Sequence, residues 1–207
     1  MDVEGPAPGE ELNCGAPTTP RQAASVIVLR GGGASLEVLL LRRNPAARFM
    51  GGAWVFPGGA VDAHEGAGDA SHRIAAVREV EEEAGLRLPD PAALVKFSRW
   101  ITPPQITIRY DTHFFLAAAP DGQEARADGA EMVDLRWDTP SGALAAHRRG
   151  GLELVFPTIR QLEQLAGFAS ADALLEWAGG REVVAVEPHV RITGETARVV
   201  LPGEPGY

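Results

Sequence analysis

One stretch of this chain has the apolar spacing of a helix and a clear start and stop. Ile74, Val77 and Val80 recur at three-residue intervals, so they share one face of a helix. Asp69 is a suitable N-cap, and Gly85 stands where a helix ends. The spacing therefore predicts a helix from about Asp69 to about Ala84.

Stretches with the spacing of strands lie on both sides of this helix. They are short apolar or alternating runs bounded by glycine, proline and charged residues, which favours strands over helices. The predicted strands cover residues 24–29, 36–41, 54–56, 94–100, 105–117 and 133–137. Further helices are predicted over residues 141–147, 158–165 and 171–177, and a terminal hairpin joins residues 183–186 to 197–201. Strands followed by helices predict an α/β fold with a mixed or antiparallel sheet and extra C-terminal helices.

Composition and charge limit the function classes. A chain of 207 residues that is 45% hydrophobic can bury one sizeable core. Its net charge of -9 argues against a nucleic-acid groove, although a bound divalent metal still allows a small anionic ligand. Residues 1–21 are rich in Gly, Pro, Glu and Thr, so we expect a disordered lead followed by one domain over residues 22–207.

The only cysteine, Cys14, cannot form an intramolecular disulfide, which fits a reducing, cytoplasmic setting. We find no apolar run of the roughly 20 residues that a membrane-spanning helix needs. The first residues are acidic, unlike a signal peptide. These features predict a protein with no membrane partner.

Three glutamates share one face of the predicted central helix. Glu79, Glu82 and Glu83 have the spacing i, i+3 and i+4, so their carboxylates converge. A run of glutamates is usually a solvated helix face. Like charges in a packed setting repel one another unless a cation neutralises them, and ligands that are all oxygens suit a hard ion such as Mg²⁺ or Mn²⁺.

The context of these glutamates resembles the box of the Nudix hydrolase family, G-x5-E-x7-R-E-U-x-E-E-x-G-U with U apolar. Gly59 is followed after five residues by Glu65, and residues 78–86 match the helical half without a mismatch. Twelve residues instead of seven separate Glu65 from Arg78, which indicates an insertion around residues 66–70. Loop tips tolerate such insertions. The resemblance implies a Nudix fold, an α/β/α sandwich with a central mixed β-sheet and a loop-helix-loop box.

The same resemblance implies roles for the box residues. Glu79, Glu82 and Glu83 would ligate the metal, and the Gly58 carbonyl is a further ligand candidate. Glu82 also counts among the catalytic residues.

Three more residues complete the catalytic set. Arg78 would orient the carboxylates, and Glu65 would be an outer partner of the helix. Nudix enzymes often draw one more acid from a loop ahead of a Trp-bearing strand, and Glu131, six residues before Trp137, has that position. An ordinary exposed loop glutamate is the alternative for Glu131.

Segments outside the box resemble one branch of the family, the peroxisomal coenzyme A diphosphatases and their bacterial relatives. They are FMGGAWVFPGG at residues 49–59, the lengthened box loop, WITP at 100–103, RYDTHFF at 109–115 and LPG at 201–203. The aromatic residues in them have an alternative role as ordinary core side chains. Arg42, Arg43 and Arg48 flank the approach to the box, where they are candidates for binding the substrate's phosphates.

The branch implies hydrolysis of coenzyme A or acyl-coenzyme A to 3',5'-ADP and (acyl-)4'-phosphopantetheine. A second candidate is a pyrophosphatase for ADP-ribose, NADH or another nucleoside diphosphate. A third, of another class, is a Nudix domain that senses a nucleotide without cutting it, although sensors typically lose box carboxylates. The expected partner is a small diphosphate, with no nucleic acid, and a homodimer is possible.

Overall fold

A computed structural model describes residues 2–3, 11–13, 15–33, 35–193 and 196–207 of the chain. Cys14 lies outside the described residues. The strands, in chain order, are β1 (Asp2–Val3), β2 (Arg21–Arg30), β3 (Glu37–Arg43), β4 (Trp54–Val55), β5 (Gly58–Ala60), β6 (Val95–Ile101), β7 (Tyr110–Ala118), β8 (Met132–Asp138), β9 (Ala185–Val186), β10 (His189–Thr193) and β11 (Thr196–Val200). The α-helices are α1 (Asp69–Ala84), α2 (Pro140–Arg148), α3 (Phe156–Leu165) and α4 (Ala171–Ala178).

Among the described residues, one sheet has eight strands and contains both parallel and antiparallel pairs. Its path runs β4-β3-β2-β7-β6-β9, with β5 paired to β2 and β8 paired to β3. β2 and β7 run parallel, as do β6 and β9, and the other pairs of this sheet are antiparallel. The prediction of a mixed sheet in an α/β fold is confirmed.

Strand β2 is buried on both faces, which explains its continuous apolar run. Val26 and Val28 face a core cluster that contains residues of α1, whereas Ile27 and Leu29 face a second cluster built with α2, α3 and α4. Each fully buried aliphatic side chain contributes about 1.5–3 kcal/mol. The two clusters make the α/β/α layers that the sequence resemblance implied.

The helix ends follow from local chemistry. Gly85 adopts the left-handed conformation, with φ 66°, and its N–H donates to the Glu81 carbonyl, so α1 stops at the residue before it, as predicted. Thr139 and Ser170 accept hydrogen bonds from the first turns of α2 and α4. No helix in the described part of the chain is long and apolar enough to cross a membrane.

The predicted terminal hairpin was wrong in its partners. Residues 185–186 form β9, which extends the main sheet beside β6, and β11 pairs instead with β10 and β1. Apolar alternation marks a strand but carries no information about which strand it joins.

The predicted disordered lead includes residues 1, 4–10 and 14, which lie outside the described residues. In the described part, β1 pairs with β11, and Leu12 forms a bridge to Ile106. The Arg109 guanidinium donates to the Thr18 carbonyl at 2.7 Å. These partners were not predicted because backbone pairing requires no apolar side chains, and apolar content was the basis of the prediction.

Candidate active site on the central helix

The site is built where β5 passes beside the last turns of α1. β5 is pinned to β2 by pairing of Ser25 with Gly58 and of Ala24 with Gly59. A side chain at Gly58 would collide with the backbone of β2, and one at Gly59 would overlap the carboxylate of Glu79. Both glycines are therefore needed for the close approach of strand and helix.

Glu83 is the most enclosed of the three box carboxylates. The residue is only 4% exposed, and its Oε2 accepts a hydrogen bond of 2.8 Å from the backbone N–H of Gly58. Burial, together with the charges of Glu79 and Glu131, raises the pKa of Glu83 to about 8, against the opposing effects of the Gly58 N–H and Arg43. The structure gives the Gly58 N–H a definite role, whereas the Gly58 carbonyl stays a predicted ligand.

Glu79 shares this environment. Burial raises the pKa of its carboxyl group, and the nearby charges of Glu82 and Glu131 act in the same direction, while Arg78 lowers it. Glu82 lies at the rim, with 58% of its side chain exposed. The three carboxylates predicted as metal ligands therefore lie on one helix face, with Glu83 buried, Glu79 partly buried and Glu82 exposed.

Arg78 connects the carboxylates to the box loop. Its Nη1 donates to Glu79 at 2.7 Å and to Glu82 at 2.9 Å, while its Nε donates to Glu65 at 2.9 Å. Hydrogen bonding to Glu65, followed by that to Glu79 and Glu82, raises the pKa of Arg78, so the guanidinium stays charged. Its Nη2 also donates to the Ala60 carbonyl at 3.0 Å, which ties the helix to β5.

Glu65 anchors Arg78 from the loop. Its side chain is 1% exposed and accepts the Asp62 N–H at 2.7 Å. Burial acts to raise the pKa of Glu65, but the hydrogen bonds from Arg78 and Asp62 outweigh it, so the pKa is lowered. The insertion between Glu65 and Arg78 leaves this contact in place.

Glu131 precedes β8 in a loop that is held by its backbone. The Asp128 carboxylate accepts the N–H groups of Glu131 and Met132, and the Asn44 N–H donates to the Glu131 carbonyl at 2.7 Å. These bonds keep the loop against the end of β3. The charge of Glu131 acts on both Glu79 and Glu83 and raises the pKa of each carboxyl group.

The three predicted substrate arginines have different surroundings. Arg43 acts on the Glu83 carboxylate by its charge and donates to the Phe49 carbonyl at 3.2 Å. Arg42 precedes Arg43 on β3, where successive side chains point to opposite faces, and its buried Nε has no hydrogen-bond partner in the described part of the chain. Arg48 is exposed in a turn. Arg43 is therefore the predicted substrate arginine whose charge acts on Glu83.

A polar network under the first half of α1 was not predicted from sequence. Arg99 makes two hydrogen bonds to Asp111, which also accepts from Gln22, and Gln22 in turn contacts His72. The ring of His72 stacks on that of His113, with centroids 4.0 Å apart. These residues come from four different elements, so no spacing along the chain could reveal them.

The donor set suits a hard divalent cation. Its groups are carboxylate oxygens, of which Glu83 is buried and Glu79 partly buried. Burial first, and the neighbouring carboxylates next, raise both pKa values, and a bound cation would oppose this rise. Within the residues described, no three His, Cys, Asp or Glu side chains converge closely enough to form a metal site as they stand. Arg78 holds Glu79 and Glu82 by hydrogen bonds in this arrangement.

A model of the NUDIX domain family matches residues 19–156. The chain belongs to the Nudix family. The match covers both β5 and α1, so the carboxylate face is the helical part of the family's box. The family assignment made from the box residues is thereby confirmed.

Similar proteins agree with this assignment. Human acyl-coenzyme A diphosphatase NUDT19 is 32% identical over 124 residues, which cover 58% of this chain and 33% of the human protein. A putative 8-oxo-dGTP diphosphatase of Bacillus subtilis is 34% identical over 119 residues, or 58% of this chain and 66% of that protein. A crystal structure of a NUDIX hydrolase from Alicyclobacillus acidocaldarius superposes with a TM-score of 0.68 at 27% identity, covering 77% of this chain and 96% of that one. This chain thus spans about one third of the human relative's length.

Proposed function

We propose that this Nudix chain hydrolyses a diphosphate linkage in a nucleotide-derived small molecule, with Mg²⁺ or Mn²⁺ held by Glu79, Glu82 and Glu83. The observation that carries the proposal is the pair of carboxylates formed by buried Glu83 and partly buried Glu79, whose pKa values are raised by burial and by neighbouring carboxylates. A helix face that served only as a solvated surface would not bury its charges.

Glu79, Glu82 and Glu83 would hold a divalent ion, which would supply positive charge to the site and Lewis-acid activation of water. The protein's own groups set the geometry. The Gly58 N–H orients Glu83, and Arg78 orients Glu79 and Glu82 through one guanidinium. The Gly58 carbonyl remains a proposed additional ligand.

Proton transfer is assigned to Glu131, with Glu82 as the second carboxylate at the rim of the site. A carboxylate oxygen of Glu131 would accept a proton from the attacking water as the P–O–P bond breaks and the second phosphate leaves. Glu65 touches neither water nor substrate in this scheme. It acts as a positioning residue by holding Arg78.

Coenzyme A or acyl-coenzyme A is the proposed substrate, and 3',5'-ADP and (acyl-)4'-phosphopantetheine are the products. The support is the similarity to the human acyl-coenzyme A diphosphatase together with the branch motifs at residues 49–59 and 100–103. Arg43 is proposed to bind substrate phosphate beside the carboxylates, with Arg42 and Arg48 on the approach. A homodimer remains a separate proposal that light scattering in solution would test.

Two alternative functions remain in competition. A nucleotide pyrophosphatase is favoured by the similarity to the putative 8-oxo-dGTP diphosphatase, and ADP-ribose and NADH belong to the same test. A non-catalytic nucleotide sensor would bind the substrate without turnover.

The decisive experiment is a panel of diphosphate compounds incubated with Mg²⁺ or Mn²⁺, with products identified by mass. Turnover of coenzyme A that stops on chelation and returns with either ion supports the proposal. If ADP-ribose, NADH or 8-oxo-dGTP is turned over tenfold faster than coenzyme A, about 1.4 kcal/mol in transition-state stabilisation, that compound replaces coenzyme A as the proposed substrate. Binding without hydrolysis of any compound would identify a sensor.

A further inference from the structure

A cavity of about 740 Å³ lies beside the first turn of α1. Its walls come from the start of β2, from residues 60–63 and 66–68 of the box loop, from α1, and from β6 and β7. Glu79, Glu82, Glu83 and Glu131 are not among its lining residues. We call this feature the insertion cavity, because residues 66–68 belong to the insertion that lengthens the box loop.

Cationic side chains outnumber carboxylates around the insertion cavity. Arg21, Lys96 and Arg99 line it, against Asp62 and Asp69. This excess of positive charge stands out in a chain whose net charge is -9.

Both lining carboxylates already have cationic partners. Asp69 makes ion pairs with Arg73 at 2.8 Å and Lys96 at 2.6 Å, and Asp62 lies 3.9 Å from Arg78. These pairings reduce the repulsion that an entering anion would meet.

Two arginines that line the cavity have N–H groups that are not used in ion pairs among the described residues. Arg99 uses Nε and Nη2 on Asp111, which leaves Nη1 for another acceptor. Arg21 is exposed, and its guanidinium forms no ion pair with the residues that the structure describes. A phosphate group accepts such donors through several oxygens.

Two stacked histidine rings form part of the cavity wall. His113 lines the cavity beside its stacking partner His72. Burial, with further contributions from His72, Arg99 and Lys96, lowers the pKa of His113 to about 4, although Asp111 opposes this. The charges of Arg99 and Lys96 therefore act on His113 at the cavity, in addition to the larger effect of burial.

We propose that the insertion cavity binds a phosphate group of a small molecule, at a site separate from the carboxylate face. The group has two possible sources: a phosphate of the substrate remote from the bond that is cut, or a separate phosphorylated effector. The first source rests on the proposed function, whereas the second does not.

The test uses the full chain and adenosine 3',5'-bisphosphate, which is the 3',5'-ADP of the proposed reaction. It has two phosphate monoesters and no diphosphate bond. Calorimetric titration of the wild type should give saturable binding. Arg21→Gln should weaken it about five- to tenfold, because one charge-assisted contact is lost, and Lys96→Gln should weaken it in the same direction. Arg126→Gln, the same change at an arginine whose side chain is 81% exposed and does not line the cavity, should leave the affinity within about twofold.

Kinetics with coenzyme A and dephospho-coenzyme A separate the two sources. A rise in KM in Arg21→Gln that is confined to coenzyme A identifies the substrate's own phosphate. If Arg21→Gln binds the bisphosphate more weakly but has the wild-type KM for both coenzyme A and dephospho-coenzyme A, the cavity binds a separate phosphorylated effector. No saturable binding to the wild type, or equal affinities in Arg21→Gln and Arg126→Gln, would overturn the proposal even if diphosphate hydrolysis is normal. Absence of hydrolysis would refute the proposed function while the titration still decides the cavity.

Discussion

Arg73 and Arg78 lie on the same helix, five positions apart, and make different kinds of contact. Arg73 pairs with Asp69 and donates to the carbonyls of Pro91 and Leu94, so it ties α1 to the segment that leads into β6. Arg78 donates to side chains that are proposed to hold metal or to support those that do. The first half of α1 is therefore bonded to the surrounding fold, whereas the second half carries the carboxylates that are proposed to bind metal.

The carboxylates of the two halves differ in the same way. Asp69 has a lowered pKa, since its ion pairs with Arg73 and Lys96 outweigh its burial. Glu83 has a raised pKa, since burial and neighbouring carboxylates outweigh its single backbone hydrogen bond and Arg43. A carboxylate kept in an unfavourable electrostatic environment indicates a functional requirement more strongly than one that is fully paired.

The largest expected effect is loss of activity in Glu83→Gln. The amide keeps the shape of the side chain but loses a metal-binding charge, so kcat should fall about a thousandfold or more, roughly 4 kcal/mol. Folding should be retained, because a buried neutral group replaces a carboxylate that burial disfavours.

Glu81→Gln is the matched control, since Glu81 pairs with Arg87 and its side chain is 49% exposed. Its turnover should stay close to that of the wild type. Near-normal turnover of Glu83→Gln at saturating Mg²⁺ would show that the second half of α1 does not hold the catalytic metal.

The next largest effect is the contribution of His113, which lies beneath the first half of α1, to the loss of folding free energy at low pH. His113 has a folded-state pKa of about 4, below its unfolded value near 6.5, so the unfolded chain binds the proton first as pH falls. The associated loss of stability is absent well above pH 6.5, grows between pH 6.5 and 4, and reaches up to about 3 kcal/mol. Urea unfolding at several pH values should show a smaller acid loss in His113→Gln.

His64→Gln serves as the comparison for His113, because the His64 side chain is 75% exposed. Its unfolding free energy should follow that of the wild type across the same pH range. Identical pH profiles for His113→Gln and the wild type would contradict the assignment of His113 as a buried neutral histidine.

Arg78→Lys tests positioning in the second half of α1. Lysine keeps the charge but cannot bridge Glu65, Glu79 and Glu82 with one planar fork, so kcat should fall about ten- to a hundredfold. Raising the Mg²⁺ concentration should recover part of the loss, an effect that simple unfolding would not show. Arg87→Lys is the control, and an unchanged kcat in Arg78→Lys would remove Arg78 from the site.

The smallest effect is expected for Arg73→Ala. Loss of its bonds to backbone carbonyls should lower the free energy of unfolding by about 1–2 kcal/mol, while kcat and KM stay unchanged. Chemical denaturation and steady-state kinetics on the same preparation measure both. A large drop in kcat without a loss of stability would break the division between the two halves of the helix.

Helix positions were predictable where one local rule was sufficient. The apolar spacing between Asp69 and Gly85 was sufficient to predict α1, which occupies Asp69–Ala84. The N-cap prediction was wrong, because Gly68 holds that position and Asp69 is the first helical residue, with its carboxylate paired to Arg73 and Lys96. Strand β7 was predicted to start at about Gln105 but begins at Tyr110. Alternation continues through residues 105–109, yet the Gln105 carbonyl accepts the Asn13 N–H and the Glu11 carbonyl accepts the Thr107 N–H. Those hydrogen bonds to a distant segment were not visible in the local pattern.

The sequence by itself determined the family, the helix that carries Glu79, Glu82 and Glu83, and the contact of Arg78 with its own helix, because spacing of three or four residues sets which side chains meet. Only the tertiary structure decided how deeply each carboxylate is buried, that the charge of Glu131 acts on Glu79 and Glu83, and that Arg42, Arg43 and Arg48 have different surroundings. It also decided the stacking of His72 on His113 and the insertion cavity. Burial and electrostatic potential depend on elements that are distant along the chain, and the local sequence pattern contains no information about which of them will pack together.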